Sequence, residues 1–191
     1  REIIPATTTE GLVLNQAFGE WEGHVAKHLK ERNRGGNGGY ETPQERLLYE
    51  QCLSHVATYS KPSQGSRDLV LVHPFYLHAS HMHRLKPQME EEADRYLDTL
   101  DAVLRLSQAN PDIRVTAFDT IHHYAAITSR ALEEGLFDDV ILTVHDHGRP
   151  MDHEDLQRFK NRRIFLAGGY DGRCLEGAID AINEATIEVR G

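Results

Sequence analysis

"RIFLAGGYDGRCLEGAIDAI", residues 163–182, passes from an apolar run through paired glycines and an Asp-Gly-Arg turn into residues with helical spacing. A strand that leads through a glycine turn into a helix is the repeating step of a parallel α/β sheet. The step recurs upstream. "LVLVH" (69–73) precedes a stretch, 87–108, in which Leu97, Leu100, Val103 and Leu104 fall on one helical face. "IRVTAF" (113–118) precedes "HHYAAITSRALEEG" (122–135), which closes on Gly135, and "DVILTV" (139–144) precedes "DHEDLQRF" (152–159). A last β-rich run, "TIEVR" (186–190), follows the helix that starts at Cys174. Five strands alternating with four helices predict an α/β domain over residues 68–191. Its expected form is an open, mostly parallel five-stranded sheet with helices on both faces, a Rossmann-like three-layer arrangement.

Residues 1–67 read differently. Phe18, Trp21, Val25 and Leu29 fit one face of a helix over 16–32, and "RGGNGGY" (34–40) breaks it. Thr42, Pro43 and Glu45 then form a capping pattern that opens a second helix, 43–59. This region is expected to be an N-terminal helical arm or lid.

At 191 residues, with 39% hydrophobic and 27% charged residues, the chain has the make-up of one ordinary globular core. A net charge of -9 argues against a partner held through phosphate neutralisation, which needs a basic face. No apolar run approaches the roughly 18 residues of a membrane span, and "REIIPATTTEGLVLNQ" lacks a signal-peptide core. The expectations are a cytoplasmic protein with no nucleic-acid or membrane partner, a small and anionic substrate, and a homo-oligomer as one use of the arm. Two cysteines make no disulfide framework, whereas twelve histidines are an excess.

Ligands of an open parallel sheet bind beyond the carboxyl ends of its strands. Those ends carry His73, Asp119, the run His145-Asp146-His147, and Gly168-Gly169 leading to Asp171, Arg173 and Cys174. A thiol at a helix N-terminus is favoured as thiolate, so Cys174 is a candidate nucleophile; the competing reading packs it as a small apolar residue. The turn's amides, with Gly168, Gly169, Asp171 and Arg173, suit an oxyanion or phosphate, and Arg149 suits an anionic group. Asp152, Glu154 and Asp155 read as a helix cap and first turn. At most one of the adjacent His122 and His123 can face a cleft.

The strand, glycine turn and Cys174 at a helix start resemble the isochorismatase-like cysteine hydrolases, as does the element order from Asp68 onward. The resemblance implies a nucleophilic cysteine attacking a carbonyl or imine carbon, assisted by an Asp after the first strand and a Lys after a later one. Here His73 stands where the Asp is expected and His145 where the Lys is expected. An imidazole titrates near neutrality and can serve as acid or base.

His73, Asp119, His145 and His147 also offer nitrogen and oxygen ligands for a divalent metal, without a recognised metal spacing. Three readings follow: a hydrolase or lyase using Cys174 with His73, His145 and Asp119, a metal-dependent hydrolase, and a non-catalytic small-ligand or assembly module.

Overall fold

The computed structural model describes residues 43–62, 65–75, 87–121, 124, 128–143, 148–150, 153–168 and 174–187. The elements are α1 (Pro43–Tyr59), β1 (Arg67–Val72), α2 (Pro87–Ala109), β2 (Ile113–Thr120), α3 (Ser129–Glu133), β3 (Asp139–Thr143), a 3₁₀ helix (His153–Phe159), β4 (Arg163–Gly168) and α4 (Cys174–Ile187).

All strand pairs are parallel, and the spatial order is β3-β2-β1-β4. The chain builds outward from β1 through β2 to β3, then crosses back to lay β4 on the other flank of β1. The register aligns Leu69 with Val115 and Phe165, and Val72 with Phe118 and Gly168. The sheet is therefore parallel and four-stranded among the described residues.

Strand alternation sends successive side chains to opposite faces, and both faces are apolar here, as parallel strands require. Leu71, Val115, Ala117, Val140 and Leu142 join one buried cluster with Cys52 and Val56 of α1 and Leu100 and Leu104 of α2. Val70, Val72, Phe118 and Ile141 join a second with Leu156 and Phe159 of the 3₁₀ helix and Cys174, Ala178, Ala181 and Ile182 of α4. The spacing Cys52–Val56 and Leu100–Leu104 is one helical turn, which puts each pair on the core side. α1 is part of the first core, and its most extensive contacts are with α3 and β3.

The final run departs from expectation. Thr186 and Ile187, read as the start of a fifth strand, close α4. Ala178, Ala181, Ile182 and Ala185 continue the buried stripe of that helix, and the Thr186 hydroxyl donates to the Ile182 carbonyl at 2.9 Å. Helical burial outweighs β-propensity here. Residues 188–191 lie outside the described residues, as does the expected helix over 16–32. Of the described residues within 122–135, Ser129–Glu133 form an α-helix, and Tyr124 and Thr128 have π-helical conformation.

The amino edge of the sheet is ionic. Asp68, fully buried, accepts from Arg114 Nε at 2.8 Å and from Arg162 Nε. Asp139 accepts from Arg158 and from the Ser60 hydroxyl at 2.7 Å. Burial pushes the Arg158 guanidinium below its ordinary value, and the charge of Arg114 adds to this. Burying such charges is tolerable only because they are paired.

Candidate functional site at the carboxyl edge

Strand order β3-β2-β1-β4 places the topological switch point between β1 and β4, where ligands of doubly wound sheets bind. Two glycines close the backbone around it. At Gly168, φ is 129° and a Cβ would come within 2.1 Å of the Val72 carbonyl oxygen. At Gly148, φ is 64° and a Cβ would come within 2.1 Å of the Cys174 carbonyl oxygen and 3.1 Å of Val72. Only glycine permits these approaches. The end of β4 thus meets the end of β1 main chain to main chain, and Gly148 meets the start of α4 in the same way.

His73 follows β1 directly. Its N–H donates to the Phe118 carbonyl at 2.8 Å, which extends the β1–β2 ladder by one residue. Its φ is 47°, a left-handed conformation that costs a non-glycine residue on the order of 1–3 kcal/mol and recurs at functional sites. The side chain is 1% exposed, and Nε2 lies 3.4 Å from the Thr143 hydroxyl at the tip of β3.

Asp119 is buried beside it at the end of β2. Its Oδ1 accepts from the Thr120 N–H at 3.0 Å, and its Oδ2 accepts from the Thr128 hydroxyl. These bonds tie the β2 tip to the start of α3. Cys174 is 3% exposed and packs in the second apolar cluster with Val70, Val72 and Phe118. Arg149 is exposed, and its guanidinium donates to Glu184 at 2.8 Å. Glu184 lies ten residues along α4 from Cys174, or about 15 Å of helix.

The described edge thus brings together His73, Asp119, Gly168 and Cys174. His145, His147, Gly169, Asp171 and Arg173 lie outside the described residues. Among the described residues, no group of three or more His, Cys, Asp or Glu is placed to hold a metal ion. None of the described helices is long and apolar enough to cross a membrane.

The sequence reading missed the hydroxyls Thr120, Thr128 and Thr143. Thr120 and Thr143 end β2 and β3, so a polar residue at each strand tip was the available signal. It also missed a second polar cluster under the same edge. His55 of α1 contacts the Tyr124 hydroxyl through Nδ1 at 2.5 Å and Glu133 of α3 through Nε2 at 2.7 Å. Burial raises the Tyr124 phenol far above its ordinary value, with Cys52, Glu133 and Tyr59 adding to the shift, and burial pushes the Cys52 thiol up to about 11.

A cavity of about 360 Å³ opens at the opposite, amino edge, lined by Lys61, Pro62, Gly65, Pro111, Ile113, Arg114 and Asp138. Arg114, its one deeply buried cation, is committed to Asp68. The cavity is remote from the strand tips and adds nothing to the site.

Compared with known proteins, the chain matches no family model, no curated protein and no solved structure.

Proposed function

We propose that the protein is a small-molecule hydrolase or lyase of Rossmann-like, three-layer architecture, with its site at the carboxyl edge and His73 as the acid-base group. The carrying observation is the strained backbone of a buried histidine at the tip of the central strand, next to Asp119 and facing the Thr143 hydroxyl. A left-handed histidine is retained where the surroundings over-determine it. A titratable group held in a water-poor setting at the carboxyl end of a parallel strand suits a proton-transfer centre. In this reading Asp119 positions the β2 tip, and Cys174 supports the floor of the site from the apolar cluster, which favours packing over nucleophilic attack for its thiol. The substrate is a small molecule with an anionic group, as the turn at Gly168 and the N-terminus of α4 would receive one.

The test is a screen of activated esters, amides and imines with the wild type, followed by His73→Asn and Cys174→Ser on any substrate turned over. Asn tolerates the left-handed backbone, so the first variant isolates the imidazole. Expected are loss of turnover of at least a hundredfold in His73→Asn and near-wild-type turnover in Cys174→Ser. Full activity in His73→Asn would sink the reading, loss confined to Cys174→Ser would transfer it to the thiol, and an inert wild type would favour a binding module.

A further inference from the structure

Three described residues that follow β2, Ile121, Tyr124 and Thr128, are each held by a polar contact. The Cys52 thiol approaches the Ile121 carbonyl at 3.9 Å, His55 Nδ1 meets the Tyr124 hydroxyl at 2.5 Å, and the Thr128 hydroxyl donates to Asp119. Two of the three holders belong to α1 and the third to the strand tip itself. Ile121, Tyr124 and Thr128 are all buried, and the π-helical conformation of Tyr124 and of Thr128 is one that recurs at functional sites.

We propose that His55 is a positioning residue: through Tyr124 it fixes the segment that sets the Asp119–Thr128 bond, so that docking of α1 governs the geometry of the carboxyl edge. The chemistry of the two ring nitrogens supports a directional role. The Glu133 carboxylate can only accept, so Nε2 carries a hydrogen, and in the neutral imidazole this leaves Nδ1 as an acceptor for the Tyr124 hydroxyl. Glu133 thereby selects the tautomer that holds Tyr124, in the way a carboxylate orients a histidine in many sites. The groups facing His55 are Glu133 of α3, Tyr124 of the following segment and Tyr59 of α1, whose ring centroid is 4.8 Å away. The inference rests on the carboxyl edge being the site only for its functional consequence; its test reads structure and stands whether or not turnover is found.

Two amides give the readout. Thr120 N–H donates to the preceding Asp119 Oδ1 at 3.0 Å, and Val140 N–H donates to the preceding Asp139 Oδ1 at 2.9 Å. They are the same local bond at opposite edges of the sheet. Native-state hydrogen exchange is measured by NMR on the full chain for the wild type, His55→Asn, His55→Gln and Tyr124→Phe. Asn keeps an acceptor where Nδ1 stood and so retains the hold on Tyr124. Gln keeps only the reach toward Glu133, and Phe removes only the hydroxyl. The expected result is Thr120 exchange faster by about tenfold in His55→Gln and Tyr124→Phe, the effect of one lost hydrogen bond, with Thr120 protection retained in His55→Asn and Val140 unchanged throughout. If His55→Gln fails to fold, Tyr124→Phe against His55→Asn carries the same comparison. Thr120 protection left intact in Tyr124→Phe, or Thr120 and Val140 accelerated together in every variant, overturns the proposal.

Discussion

Asp68 Oδ1 and Arg114 Nε meet at 2.8 Å across the paired amino ends of β1 and β2, with the carboxylate fully buried and Arg114 nearly so. Arg162 reaches the other oxygen of the same carboxylate from the start of β4. One anion thus holds two cations, and its removal takes that partner from Arg162 and leaves Arg114 facing Asp139 at 3.9 Å, in a poorly solvated place.

Asp68→Asn is therefore expected to cost about 3–5 kcal/mol in urea unfolding. Asp101→Asn, which loses an exposed pair with Arg105 one turn along α2, is expected to cost roughly 0.5 kcal/mol or less. Equal costs in the two variants would show that the buried network contributes nothing beyond a surface pair.

Gly168→Ala and Gly148→Ala each place a Cβ about 2 Å from a main-chain carbonyl oxygen at a positive φ. No flexible side chain can yield to it, so strand or helix must shift. Each substitution is expected to destabilise by roughly 2–4 kcal/mol, the upper part of the usual range for point mutants, measured by thermal and urea unfolding. A neutral result at either position would contradict the main-chain closure of the switch point.

Both thiols are buried. That of Cys52 is pushed up to about 11 by desolvation. A raised thiol contributes stability that is fully present below its unfolded value and is lost as pH rises through the folded value, so Cys52 weakens the fold between about pH 9 and 11. At pH 8 a disulfide reagent is expected to find no fast thiol in the native protein and two in denaturant. Rapid native modification of Cys174 would instead reveal an accessible nucleophile.

Asp112 is held below the ordinary carboxylate value by hydrogen bonds from the Arg67 guanidinium, at 2.6 and 2.7 Å. A lowered carboxyl contributes stability above its unfolded value that is lost as pH falls through the folded one. Asp112→Asn should flatten the stability profile below about pH 4 and leave less salt dependence near neutrality. An unchanged acid limb would mean that the pair is not populated in solution.

Much of the frame could be read from sequence because both faces of the sheet are buried and each strand is short. "RIFLAG" and the helix opened by Pro43 emerged with the expected limits, since a glycine turn and a proline cap are local signals. "TIEVR" misled because β-branched residues at Thr186 and Ile187 say nothing of the helical stripe that continues beneath them. Each described strand also carries charge within or just before its first two residues, at Arg67-Asp68, Arg114, Asp138-Asp139 and Arg162-Arg163. The pattern was visible in the sequence, but the pairing of Asp68 with Arg162 depends on strand order, which no local window contains. For the site, strand-tip position singled out His73 and Asp119. The contact between His55 and Tyr124 escaped notice because the two are 69 residues apart and α1 docking joins them.

The crossing of the chain from β3 back to the free flank of β1 also orders the events of folding. Residues 43–143 hold α1–α3 and the three strands that build the first apolar cluster, whereas the second waits for the 3₁₀ helix, β4 and α4. Asp68 meets Arg162 only after 94 residues of chain, a closure with a substantial entropic cost, and such non-local pairing is slow. Pulse-labelled exchange during refolding should accordingly protect the β1–β2 ladder before the β1–β4 ladder. On the ribosome, Val70 and Val72 remain uncovered along an open strand edge until the last quarter of the sequence emerges, and a delay at that stage would favour pairing between chains.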